Sequence, residues 1–213
     1  SAEGPFEEED YSVETFADDL FNAAEALKLD GFTLVGHSMG GATVTQFALQ
    51  HQDLIKGLVL MNPAPLKGRS LKDGWEAEMR ASLESVGPPD GDMGFQAPHV
   101  TEDFKEAVMA DISRNPVERF IGGRKSMAAL KLRDRLHEVK VPTLVMGGDQ
   151  DTTVGLDNIL AEYQALPDDL RHLHIYHGTG HSPNVEVARW VVNITGLFSD
   201  MAWKKDLETQ SVR

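Results

Sequence analysis

Hydrophobic residues in this chain follow two alternating patterns. From Ser12 onward, Val13, Phe16, Ala17, Leu20, Phe21, Ala24 and Leu27 recur every three or four positions, as on one face of a helix. Ser12 is placed to cap that helix, and Glu14 falls in its first turn, where a negative charge meets the positive end of the helix dipole. Phe32-Thr33-Leu34-Val35 is a short apolar run closed by glycine and reads as a buried strand. Residues 39–51 read as a helix and Gly57-Leu58-Val59-Leu60-Met61 as a second buried strand. Asn62-Pro63-Ala64-Pro65 then stops both patterns, because proline removes a backbone donor. Val141-Pro142-Thr143-Leu144-Val145-Met146 predicts a third strand ending at Gly147-Gly148, residues 156–166 a helix, and residues 173–176 a fourth strand. A last helix should carry Val187, Trp190, Val191, Ile194, Phe198 and Met201 on one stripe, with Pro183 near its start. Short apolar strands alternating with amphipathic helices predict an α/β fold, a parallel sheet flanked by helices on both faces.

Between Pro65 and Val139 the strand pattern disappears. Apolar residues there keep helical spacing only: Met79 and Leu83; Phe104, Val108 and Ile112; Phe120, Met127 and Leu130. Residues 66–138 therefore read as a small helical insertion, a cap laid over one end of a core made of 1–65 and 139–213. The acidic first ten residues read as a solvated lead-in, and the polar tail after Ser199 as frayed.

Composition narrows the function classes. A chain of 213 residues with 41% hydrophobic residues can bury one core, with or without an insertion. Thirty-four acidic residues against 20 basic ones leave a net charge of −14, which repels phosphate backbones and anionic lipid. No nucleic-acid or membrane partner is expected. The absence of cysteine excludes a disulfide scaffold, a thiolate nucleophile and a cysteine metal site. It fits a reducing compartment, so a cytoplasmic location is expected. No apolar run is long enough for a span, and the acidic N-terminus has no signal-peptide pattern.

The sharpest chemical signal is Gly36-His37-Ser38-Met39-Gly40-Gly41, placed directly after a buried strand and opening a helix. A serine on such a turn is held in a strained conformation with Oγ exposed, and Gly36 and Gly40 are expected to let neighbouring backbone approach. The new helix aims N–H groups at any oxyanion beside the serine, that of Met39 first. A phosphate-cradling glycine loop is the competing reading, but Gly36, Gly40 and Gly41 do not fit G-x-G-x-x-G, and the loop lacks the Lys-Ser/Thr pair of a P-loop. Serine needs a base, and the base an orienting acid, on loops at the C-terminal ends of later strands. Gly148-Asp149-Gln150-Asp151 and His177-Gly178-Thr179-Gly180-His181 supply candidates. Either aspartate and either histidine fits by position alone, although glycines give His181 the slack to swing toward serine. His172, His174 and His177 raise the thought of a metal site, but no carboxylate motif accompanies them. Asn193-Ile194-Thr195 is a glycosylation sequon by letters that falls inside the last helix.

These motifs, in the order Ser38, Asp151, His181, resemble the α/β-hydrolase superfamily, in its small esterase-like form with a helical cap. The resemblance covers roughly 11–65 and 132–198 and is looser across the cap. It implies Ser38 as nucleophile, Asp151 as acid, His181 as base, and the Met39 N–H as half of an oxyanion hole. It implies no metal and no cofactor, and a small ester, thioester or lactone substrate, with C–C hydrolysis and perhydrolysis open to the same triad. Asn62 stands where some relatives keep their acid. Trp75, Met93 and Phe95 are candidates to line an acyl pocket, or simply to pack the cap. A non-catalytic binding protein and an interaction module are the competing functions.

The family's sheet also has strands that would precede Ser1, including the loop that gives the second oxyanion donor. The chain is therefore expected to be a fragment of a larger hydrolase. Without those strands, residues 32–35 become an exposed hydrophobic edge, open to self-association or to pairing with a separate N-terminal segment.

Overall fold

Four parallel strands form the sheet of the computed structural model, which describes residues 6–84 and 100–210. Along the chain run α1 (Val13–Leu27), β1 (Phe32–His37), α2 (Met39–His51), β2 (Ile55–Met61), α3 (Trp75–Glu84), α4 (Glu102–Ile112) and α5 (Val117–Ala129). They are followed by β3 (Thr143–Gly148), α6 (Leu156–Ala165), β4 (Arg171–Tyr176), the single turn α7 (Pro183–Glu186) and α8 (Ala188–Gln210). The strands lie in the order β1-β2-β3-β4, with Val35 beside Val59, Val59 beside Leu144 and Leu144 beside His172.

Because side chains alternate across a strand, each strand feeds both faces. Leu34, Leu58, Leu60 and Val145 join Val13, Ala17, Val44, Phe47 and Ile159 in the larger core, under α1, α2 and α6. Val59, Met61, Leu144 and Met146 meet Val191 and Phe198 of α8 on the opposite face. Among the described strands β1 is an edge, and Val35, on the α8 face, is 42% exposed.

Several local expectations change. Pro183 does start a helical turn, but the chain breaks at Val187 (φ −137°, ψ 39°) before α8 begins. The seam of α8 runs through Val191, Phe198 and Ala202, and Trp190 lies off it at 64% exposure. The helix continues past Ser199 because Gly57 gives room there: a Cβ at Gly57 would stand 3.1 Å from the Phe198 ring and 3.3 Å from Ala202 Cβ. The described part of the lead-in, from Phe6, is tied down rather than merely solvated. Glu8 pairs with Arg80 and with Lys125, and Gly122 lets α5 press on its backbone, since a Cβ there would meet Glu8 O.

The described part of 66–138 is helical. Its ends enter the main core through Leu66, Leu130, Leu132 and Leu136. Its last α-helix, α5, packs across the start of α2, where a Cβ at Gly123 would come within 3.1 Å of Met39 Sδ. Met93 and Phe95 lie outside the described residues. No helix among the described residues is long and apolar enough to cross a membrane.

Candidate active site

The turn between β1 and α2 is strained where the sequence pattern places its serine. Ser38 has φ 54° and ψ −121°, a region that costs a non-glycine residue on the order of 1–3 kcal/mol. Backbone bonds hold it there: Ser38 N–H donates to Met61 O (3.1 Å), and its carbonyl accepts from Gly41 and Ala64 N–H (both 2.9 Å). Gly36 is essential to this packing, since a Cβ would sit 2.2 Å from Gly40 O and 2.6 Å from Val44 Cγ2. Gly40 is different. A Cβ on it would meet nothing within 4 Å, and the second close approach falls at Gly41, 2.8 Å from Pro63 Cβ. The expected space requirement at Gly40 is therefore corrected: its carbonyl is what crowds Gly36.

His181 and Asp151 converge on that serine from the far side of the sheet. Ser38 Oγ–H donates to His181 Nε2 (3.0 Å), and His181 Nδ1–H donates to Asp151 Oδ2 (2.9 Å). An ionised carboxylate can only accept, so Asp151 fixes the proton on Nδ1 and leaves Nε2 free to accept. The Asp151 side chain is fully buried and that of His181 is 13% exposed. Burial pushes the Asp151 carboxyl up, but bonds from His181, Asn62 and the Val154 N–H outweigh it and hold its pKa at about 2. Its other oxygen accepts from the Thr153 and Val154 N–H groups (2.7 and 3.0 Å).

To reach β1, the loop after β4 must travel back over the ends of β3 and β2. Gly148 makes the crossing feasible, because a Cβ there would stand 2.0 Å from Thr179 O and 2.4 Å from Gly180 O. Three further groups hold the loop in place. Glu186, fully buried, accepts from Gly180 and Ser182 N–H. The His37 Nε2–H donates to the His181 carbonyl (2.7 Å), and burial pushes the His37 pKa down, keeping the ring neutral. Asn62, at φ 40°, donates from Nδ2 to Asp151 Oδ2 (2.6 Å) and to Gly180 O (3.4 Å).

Sequence reasoning named Asn62 and His37 without these roles and missed Glu186 altogether. The one readable signal was the position of Asn62 at the end of β2. Asp149 and His177 pair with each other instead (2.7 Å), with the His177 side chain 96% exposed, so they form no part of this constellation. His172 and His174 pack against Phe198 and Tyr176, and no group of three or more potential metal ligands occurs among the described residues. Trp75 lies under the Arg124 guanidinium, 5.8 Å from its ring centroid. Asn193 is an exposed residue of α8.

The sequence profile described as the alpha/beta hydrolase fold matches residues 1–187. The chain belongs to the α/β-hydrolase family. Among curated relatives of this α/β-hydrolase, the 2-hydroxy-6-oxo-6-phenylhexa-2,4-dienoate hydrolase of Burkholderia cepacia is 32% identical over 171 residues, covering 74% of this chain and 58% of that protein. The chain thus spans little more than half the length of that relative. Among solved structures, an esterase from Exiguobacterium antarcticum superposes with a TM-score of 0.76 at 20% identity, covering 93% of this chain and 78% of that one. A bromoperoxidase from Bacillus anthracis gives 0.74 at 24% identity, covering 92% and 76%. Both structures carry the likeness of fold alone.

Proposed function

We propose that this α/β-hydrolase acts as a serine hydrolase on carboxylic esters, thioesters or lactones through an acyl-Ser38 intermediate. The observation that carries the reading is the unbroken relay from Ser38 Oγ through the His181 ring to Asp151 Oδ2. Ser38 Oγ attacks the carbonyl carbon while His181 Nε2 takes its proton, and Asp151 stabilises the imidazolium that results. The tetrahedral oxyanion faces the Met39 N–H, the first of α2 and one of those a helix leaves without an internal acceptor. Collapse breaks the bond to the leaving group, which carries off the proton from Nε2. Water, deprotonated by His181 in turn, then splits the acyl-enzyme and returns Ser38 to its starting state.

No metal or cofactor enters this scheme. The helices of 66–138 are read as a cover over the site, a reading supported by the passage of α5 beside Met39.

A second reading concerns the substrate. The 32% identical relative is named for a 2-hydroxy-6-oxo-dienoate, a molecule with no ester or amide. Its hydrolysis must break a carbon–carbon bond next to the 6-oxo carbonyl, which the same serine could attack.

A fluorophosphonate probe tests the nucleophile. Labelling of the wild-type protein that disappears in Ser38→Ala, with the circular dichroism spectrum unchanged, is the expected result. An unlabelled but folded wild type would leave a non-catalytic binding protein in its place. A panel of p-nitrophenyl esters, lactones and a 6-oxo-dienoate then separates the substrate classes.

A further inference from the structure

Basic side chains in this acidic chain are scarce, and most of the described arginines lie against a carboxylate. Arg80 meets Glu8 and Glu76, Arg114 meets Asp111, Arg133 meets Glu162, Arg135 meets Glu138 and Arg171 meets Asp168. Of the four described arginines outside that set, Arg119 donates to Asn115 and Arg189 stands on α8, while Arg69 and Arg124 line one cleft. Neither of these two has a carboxylate partner among the described residues, and partial burial, with the nearby Arg124 charge adding to it, pushes the Arg69 pKa down. The Nε of Arg124 is buried and has no hydrogen-bond partner. Two like charges on a chain of net charge −14, one with a dry unused donor, are a costly arrangement unless something anionic completes it.

The space for that something exists. A cavity of about 450 Å³ is lined by Arg69, Lys72 and Arg124 with Ser70 and Trp75, and Glu78 is its single acidic residue. Trp75 supports the Arg124 guanidinium from below, at 5.8 Å. The two arginines come from independent elements. Arg124 is on α5, and Arg69 is on the loop after β2, fixed by its N–H bond to Ala128 O (3.1 Å) one turn further along that helix. Arg124 directly follows Gly123, the residue seated over Met39, so this cavity flanks the same helix that passes the serine turn.

We propose that the Arg69–Arg124 cleft is a binding site for a small oxyanion, the phosphate or carboxylate group of an organic acid, clamped between two guanidiniums. Planar guanidinium forks match both groups by paired N–H···O bonds, and a bound oxyanion would satisfy the Arg124 Nε and cancel the repulsion in one step. Glu78 is the one lining charge that opposes an anion, and Arg69, Arg124 and Lys72 outnumber it. The site does not depend on turnover at Ser38.

Isothermal titration calorimetry on the whole chain, at constant ionic strength, provides the test. Inorganic phosphate and sodium succinate are titrated separately, and the tighter of the two identifies the natural group as a phosphate ester or a carboxylic acid. Binding should weaken by about tenfold or more in Arg69→Gln and in Arg124→Gln and stay unchanged in Arg119→Gln, whose side chain lies on Asn115. Without ligand, Arg124→Gln should melt no lower than wild type, because it relieves a repulsion, whereas a purely structural guanidinium would lower the melting temperature when removed. If Arg124→Gln fails to fold, Arg69→Gln, on an exposed loop position, carries the comparison alone. The proposal is overturned if neither anion binds at up to about 20 mM, or if the variants bind as tightly as wild type.

Discussion

Asn62 and His37 show how much of the site is set by residues that need never touch a substrate. Asn62 donates to the same Asp151 oxygen that receives the His181 Nδ1–H, so the carboxylate is held ionised by two donors at one atom. Replacing it by aspartate would put a second carboxylate in that place. The two would then share a proton, and one pKa would rise sharply. Asn62→Asp is therefore expected to move the acid limb of a pH–rate profile upward by more than about one unit, an effect loosened packing would not produce. In the wild type, the Asp151 pKa falls from 3.8 to about 2 on folding. Because it is depressed, the stability it contributes is complete above about pH 4 and is lost as pH falls toward 2, roughly 2 kcal/mol in all. His37 has the same sign at higher pH. Its folded pKa lies below the ordinary 6.5, so acidification below that value weakens the fold and the anchor it gives to the His181 carbonyl. The spacing of Ser38, Asp151 and His181 was legible in the sequence because each closes or follows a strand. The supporting shell was not, since Asn62 meets Asp151 across 89 positions and His37 meets His181 across 144, and no local period encodes such pairs.

At the scale of elements, the glycines divide into those that let one segment cross another and those that do not. Gly36 admits α2 against β1, and Gly148 admits the histidine loop over β3. Gly40 admits nothing. Gly40→Ala should thus be neutral or stabilise the protein by up to about 1 kcal/mol, since it sits in a helix with open space beside it. Gly148→Ala should lower kcat by more than about tenfold while the sheet survives, because the added methyl meets backbone carbonyls of the loop that positions His181. Thermal melts and steady-state kinetics on the pair separate the two cases; equal behaviour would refute the distinction. The strands and helices themselves were readable from periodicity to within two residues at most ends. What periodicity could not give was the break at Val187 or the exposure of Trp190, since both depend on how α8 seats over the sheet.

At the scale of the whole molecule, one buried ion pair joins the segment after β2 to the second half of the fold. Glu162, fully buried on α6, takes both Nε and Nη2 of Arg133 (2.9 and 2.6 Å) and the Leu66 N–H (2.9 Å), while Asn158 takes Arg133 Nη2 again (2.7 Å). Three segments meet at that carboxylate, and removing its charge leaves Arg133 facing an amide. Glu162→Gln should cost about 3 kcal/mol, seen as a fall of roughly 10 °C in melting temperature. A change within error would mean that the pair is offset by its desolvation. The sequence displayed both charges, but with nothing to single them out from the other acidic and basic residues.

The crossing of the histidine loop over the sheet also governs the route by which the chain acquires its chemistry. Ser38 and His181 are 143 positions apart, on turns that follow opposite edges of the described sheet. Parallel strands give no return for the entropy of loop closure until distant segments have docked, so such topologies fold slowly. The nucleophilic turn can form early, from neighbours within thirty or so positions, but it stays mute until the last strand has registered. The relay is therefore complete only once β4 has docked and its loop has crossed back to Ser38, so competence marks completion of the described sheet rather than formation of its first β–α–β unit.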